Sequence, residues 1–253
     1  MTPNYNKTYD AAVARSERLA YKELSSIYNG IKRVVIYQSP EQAIGLLDNI
    51  QAETFRQLAA KIYSSEGATF YLWQQKELSK KKDFIRDDFQ VGFFSEIWRA
   101  IMGEVLSNSL LLIRFSKMAE KTRNDIRKIL IAGTSANRSK VDIGRMITGE
   151  IGYVKTRALR IARTETTYAA SLGSYRAAKD STLPLVKVWT HGGGGKDPRP
   201  HHVALTGTTV GKEAYFSVNG QDMLFAGDPN GGAAETINCT CNVTYIVDES
   251  KLN

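Results

Sequence analysis

Ser181-Thr182-Leu183-Pro184-Leu185-Val186-Lys187-Val188-Trp189 is the stretch on which the fold turns. On its N-terminal side, residues 41–183 contain no proline. On its C-terminal side, ten of the twenty glycines lie between Gly192 and Gly232. Leu185–Trp189 is rich in β-branched and aromatic residues and predicts a strand. A proline-free body therefore gives way here to a glycine-rich region built differently.

The body reads as helix. Ser39-Pro40-Glu41-Gln42 is a helix start, with Ser39 as cap, Pro40 at the first position and Gln42 completing a capping box. Ile44, Leu47, Phe55, Leu58 and Ile62 follow at helical spacing, and Leu24, Ile27, Ile31 and Val34 form a similar stripe before it. Ser64-Ser65-Glu66-Gly67 predicts a break, and Lys80-Lys81-Lys82 an exposed turn. From Phe84 to Phe115 the apolar residues are dense (Phe89, Phe93, Phe94, Ile97, Trp98, Ile101 and Val105), which predicts a helix packed on more than one side. Further helices are predicted over 117–132, 136–148 and 153–180, the last joining the body to the tail.

In the tail, Asp197 with Pro198 and Gly207 predicts a short capped helix. Thr208–Val210, Ala214–Val218, Met223–Phe225 and Asn242–Val247 are further strand candidates. The expected fold class is α+β: a long helical N-terminal body followed by a small glycine-rich α+β C-terminal domain. The expected segments are 1–116, 117–180 and 181–253.

With 253 residues the chain is long enough to bury a core without staples. The longest run of Leu, Ile and Val is Leu110–Ile113, far short of a membrane span. Met1–Asn6 holds no apolar signal core, and two cysteines cannot form a disulfide framework, so folding in a reducing cytosol is expected. Residues 101–200 carry 18 basic and 8 acidic side chains, against 14 and 12 before them and 2 and 6 after. Such a band suits nucleic acid or an acidic protein surface, or is simply a solvated helix face.

All three histidines (His191, His201, His202) and both cysteines (Cys239, Cys241) lie within residues 191–241. Two residues apart on a strand, the cysteines share a face. Two thiolates and the imidazole of His202 would supply three ligands to one structural Zn²⁺, with Asp197, His191 or His201 as the fourth. The alternative is two small buried cysteines with histidines in loops; one residue, rather than the commoner two, separates the thiols. A hydrolase reading would make His202 a base and Arg199 an anion clamp. Gly192–Gly195 with Lys196 is not a phosphate loop, because Thr190 and Asp197 stand where glycine and Ser or Thr are needed. On the 153–180 helix, Arg160 shares a face with Thr164 and Arg163 with Thr167. Arg160, Arg163 and Glu165 are accordingly candidates for clamping the tail domain through hydrogen bonds, the alternative being solvated helix surface.

Ile161-Ala162-Arg163-Thr164-Glu165-Thr166 resembles the helix motif of the Mu F-like head morphogenesis proteins, the minor head proteins of tailed bacteriophages. Arg199-Pro200-His201-His202, then Leu205 and Gly207, then Gly227-Asp228-Pro229 and Asn238-Cys239-Thr240-Cys241 follow in that family's order. Thr240 stands where the family more often has arginine. The likeness covers roughly residues 117–247. It implies a low-copy virion protein, made in the host bacterial cytoplasm and placed at the phage head and portal. It also implies portal and capsid proteins and packaged double-stranded DNA as partners, without a membrane-spanning contact, and a role in head assembly, DNA packaging or ejection. The family's metal ligands carry over to His202, Cys239 and Cys241.

Overall fold

Helix runs through the chain as α1 (Pro3–Tyr37), α2 (Pro40–Gly45), α3 (Ala52–Ile62), α4 (Ala68–Ser79), α5 (Val91–Leu106), α6 (Ser109–Ser135), α7 (Lys140–Gly149) and α8 (Ile151–Lys179). The C-terminal region then follows as β1 (Leu185–Thr190), α9 (Pro200–Ala204), β2 (Thr209–Gly211), β3 (Phe216–Val218), β4 (Gln221–Met223), α10 (Gly232–Thr236) and β5 (Asn242–Val247). The computed structural model describes residues 3–80, 91–149, 151–193 and 198–251. The fold is α+β, with long helices first and, among the described residues, the strands in the C-terminal region.

Local chemistry explains where two of the helices start. Ser39 accepts the Gln42 N–H at 3.1 Å, so α2 starts where its capping residues stand. The dense apolar stretch before Phe115 is not one helix. Asn108 accepts the N–H groups of Leu110 and Leu111 at 3.0 and 3.2 Å and opens α6 as a new element. Phe84, Phe89, Lys81 and Lys82 lie outside the described residues, as do the side chains of Phe93, Phe94 and Ile97. The short tail helix begins at Pro200 with Arg199 as its N-cap. The expected cap Asp197 lies outside the described residues.

The expected break at Ser64–Gly67 is absent. The chain continues from α3 into α4 through a π-helical turn, Tyr63–Gly67. Packing explains why glycine is tolerated there. A Cβ on Gly67 would stand 2.3 Å from the Trp98 ring, and one on Gly173 would stand 2.1 Å from the Gly67 carbonyl oxygen. The two glycines thus let the π turn, Trp98 and α8 meet at backbone distance.

The chain divides into two compact units. The first comprises residues 1–16, 60–105 and 161–253. Its sheet has strand order β2-β1-β5, all antiparallel, with Lys187 opposite Val210 and Tyr245. Gln74 of α4 takes the place of a further strand, donating to the Tyr245 carbonyl at 2.9 Å and accepting its N–H at 3.3 Å. That occupies backbone groups an edge strand would otherwise expose. Strands β3 and β4 form a hairpin whose tip, Asn219-Gly220, has φ of 50° and 78°. This is the left-handed pair a tight two-residue turn requires. Tyr5, Tyr9, Ala12, Phe70, Trp73 and Ala170 form a buried cluster in this unit.

The second unit comprises residues 17–59 and 106–160. Gly133 of α6 admits Ile143 of α7, whose side chain would lie 2.6 Å from a Cβ there. Arg123 donates to the Ile50 carbonyl at 2.6 Å and Arg157 to that of Met118 at 2.9 Å. This unit holds 17 basic and 9 acidic residues, a net +8, whereas the first holds 17 of each. The whole net charge of the chain therefore belongs to the second unit.

Candidate metal centre

Three backbone segments of the first unit build the centre. Helix α9 presents His202. The loop Asn238-Cys239-Thr240-Cys241 between α10 and β5 presents the thiols, and the chain leaving β1 passes over them at Gly192. A Cβ on Gly192 would stand 1.9 Å from the Thr240 carbonyl oxygen, so only glycine fits this crossing. Asn238, at φ 58°, turns the chain from α10 into the cysteine loop.

His202 Nδ1 lies 3.6 Å from Cys239 Sγ and 3.5 Å from Cys241 Sγ. The Cys241 N–H points at Cys239 Sγ at 3.4 Å. His202, Cys239 and Cys241 are 1%, 2% and 3% exposed, which places the cluster inside the protein. The edge of Trp189 packs against the His202 ring, with centroids 5.5 Å apart. Two soft sulfurs and one imidazole nitrogen within 4.8 Å of one another form a group that could hold a metal ion.

The electrostatics suit a cationic occupant. Cys239 is held well below the usual thiol range by the hydrogen bond from Cys241 and, against the opposing effect of burial, by His202. Cys241 is pushed up by that same bond to Cys239 and by burial. Burial works against a charged His202, yet the neighbouring Cys239 and Glu235 outweigh it and raise its pKa. Thiolate character at Cys239 beside the His202 imidazole is the chemistry a metal ligand set needs.

Behind His202 stands Glu235, 3% exposed, on α10. Its Oε2 lies 2.8 Å from His202 Nε2 and 2.7 Å from His201 Nε2, and its Oε1 accepts from Asn219 Nδ2 at 3.2 Å. Burial alone would raise the Glu235 pKa, but the hydrogen bonds from His201, Asn219 and His202 lower it from its ordinary value. His201, His202 and Glu235 form a second close group.

The residues expected at the site fall in different places. His201 faces Glu235. His191 accepts the Gly193 N–H on Nδ1 at 3.2 Å and belongs to neither close group. Asp197 lies outside the described residues. Arg199 donates to the Ile237 carbonyl at 2.8 Å, which ties α9 to the end of α10. On α8, Thr164 Oγ1 accepts the Asn238 N–H at 2.8 Å and Thr167 Oγ1 donates to the Cys239 carbonyl at 2.6 Å. Arg163 reaches Asn238 Oδ1 at 3.5 Å, and Glu165 accepts from Tyr63. Arg160 falls in the second unit. Glu235 and Asn219 gave no sequence signal, since nothing in the spacing of a lone glutamate or a turn asparagine ties it to a histidine far along the chain.

The chain is similar to the uncharacterized protein YqbB of Bacillus subtilis, with 26% identity over 99% of this chain and 81% of that protein. It is likewise 26% identical to the NAD(+)–arginine ADP-ribosyltransferase EFV of Enterococcus faecalis, over 92% of this chain and 45% of that protein. It thus spans less than half the length of the transferase. No family model and no solved structure matches the chain. Among the described residues, no helix is long and apolar enough to cross a membrane.

Proposed function

We propose that this chain is a minor head protein of a tailed bacteriophage, associated with the portal and the procapsid interior, whose C-terminal region is held by one structural Zn²⁺. The observation that carries the reading is a convergence. The segments that resemble the Mu F-like family are far apart in sequence, yet three of them meet at one loop. Thr164 of the helix motif and Thr167 just after it hold Asn238 and Cys239, and Cys239 and Cys241 meet His202. An ordered motif series whose members bond to one another has a physical reason to occur together.

Zinc suits the donor set. With Zn–S near 2.3 Å and Zn–N near 2.0 Å, tetrahedral coordination separates sulfur from nitrogen by about 3.5 Å. The two separations here are 3.5 and 3.6 Å. Cys239, Cys241 and His202 would hold the ion, and its charge would bind the cysteine loop to α9. Burial of all three ligands favours a structural over a catalytic centre.

The test is mass-spectrometric quantification of this chain in purified particles of the phage that encodes it, relative to the portal protein. A few copies per particle, near the portal count, is the expected result. Absence from the particle overturns the virion reading. The transferase relative raises a competing one. Incubation with labelled NAD⁺ and an arginine acceptor decides it, and label transfer would replace the structural reading with an enzymatic one.

Packaged DNA is a second reading for the second unit, favoured by its holding the entire net charge of +8. Affinity for a duplex should then fall steeply with salt, as phosphate contacts release counterions. A flat salt response removes this reading.

A further inference from the structure

We propose that Glu235 is the positioning residue of the metal centre, fixing the tautomer of His202 so that a bare Nδ1 faces Cys239 and Cys241. The inference rests on the metal reading above.

An ionised carboxylate only accepts hydrogen bonds. Glu235 Oε2 at 2.8 Å from His202 Nε2 therefore requires the proton on Nε2. In the neutral ring that leaves the lone pair on Nδ1, the atom 3.5 and 3.6 Å from the two sulfurs. A metal needs that lone pair. In the other tautomer Nδ1–H would donate to a thiolate, and the centre would lose its nitrogen ligand without any change in position. The carboxylate also pushes electron density through the ring and makes Nδ1 a stronger donor.

Glu235 is itself built into place. His201, next to the ligand on α9, bonds the same oxygen at 2.7 Å, and Asn219 at the hairpin tip bonds the other at 3.2 Å. The three donors come from two separate elements, which fixes both the position and the rotation of the carboxylate. The arrangement places a carboxylate on the far nitrogen of a ligating imidazole, where it fixes the orientation of the ring.

The experiment uses the full chain stripped of metal, then titrated with Zn²⁺ against a chromophoric chelator and with Co²⁺ for its absorption spectrum. Long-range ¹H–¹⁵N correlation of the imidazoles reads the His202 tautomer. The wild type should show protonated Nε2 and thiolate-to-cobalt charge transfer. Glu235→Gln should lose the single tautomer and bind zinc roughly 10- to 100-fold more weakly, while charge transfer from both cysteines persists. Asn219→Gly, tolerated because Asn219 already has φ of 50°, should give a smaller loss in the same direction. It decides the matter if Glu235→Gln does not fold. A single His202 tautomer and unchanged zinc affinity in the variant that folds overturn this proposal alone. Failure of the wild type to take up either ion overturns the metal reading, and this proposal with it.

Discussion

Thr167 on α8 donates its hydroxyl to the carbonyl oxygen of Cys239 at 2.6 Å. Its single proton is thereby used, so the Tyr9 hydroxyl, 2.7 Å away, must be the donor in their contact. A directed chain Tyr9–Thr167–Cys239 results, buried throughout. The cysteine loop is thus held from behind by its backbone, while its sulfurs face His202.

Removing the middle of that chain should cost the most. Thr167→Val keeps the shape but leaves the Cys239 carbonyl and the Tyr9 hydroxyl unpaired in the interior, at about 1–3 kcal/mol for the groups stranded. Tyr9→Phe removes only the terminal donor and should cost about 1 kcal/mol. Urea unfolding of both variants reads the difference. Equal stabilities for the two would show that the chain of hydroxyls does not act as a unit.

Replacing both Cys239 and Cys241 with Ser should abolish metal binding and loosen the C-terminal region without melting the second unit. Hydrogen exchange is the discriminating measurement. Amides over residues 185–190 and 242–247 should lose protection, whereas those of α6 and α7 should keep it. Chelation of the wild type should produce the same map. Unchanged thermal unfolding in the double variant would sink the idea that the centre stabilises this region.

Gly192 offers a test of the crossing over the thiols. Gly192→Ala forces a methyl against the Thr240 carbonyl, where only 1.9 Å is available, and the obstacle is backbone, which cannot swing aside. The expected result is a strong loss of stability and of zinc retention. Gly193→Ala is the control for added bulk, because nothing lies within 4 Å of its Cβ position, although its φ of 67° adds strain. A Gly192 variant no worse than the Gly193 variant would mean that the loop adjusts freely.

Legibility in the sequence followed the range of the signal. Strand β1 stood out because Leu185–Trp189 combines β-branched and aromatic residues after a proline. The start of α2 stood out because capping is written in adjacent residues. The grouping of His202 with the cysteines was suggested by their concentration in one segment. Glu235 was invisible, because its partners His201, His202 and Asn219 are brought to it by α9 and a hairpin tip. The π turn was read as a break, since Ser64–Gly67 has the composition of one. Only the packing of Gly67 against Trp98 and Gly173 carries the helix through. On α8 the hydrogen-bonding faces were readable, yet the bonds to the cysteine loop come chiefly from the threonines, whose short side chains suit a backbone in close contact.

Lys187 gives the pH dependence a definite sign. It is fully buried on β1, with its ammonium donating to the Leu224 carbonyl at 2.6 Å and lying 5.4 Å from the centre of the Phe216 ring. Burial lowers its pKa from 10.5 to about 8, only partly offset by Glu213 and Asp228. In the unfolded chain the amine keeps its proton up to about pH 10.5, whereas the folded protein releases it from about pH 8 upward. Between these values the unfolded state binds more protons, so this group makes stability rise with pH. Below pH 8 the buried charge costs on the order of 3 kcal/mol relative to a lysine of unshifted pKa. Lys187→Met, which keeps the length of the stem and removes the charge, should flatten the stability profile between pH 8 and 10. Denaturant unfolding of both proteins across that window checks it. A wild-type profile that rises there no more than that of the variant would mean that the folded protein retains the Lys187 proton.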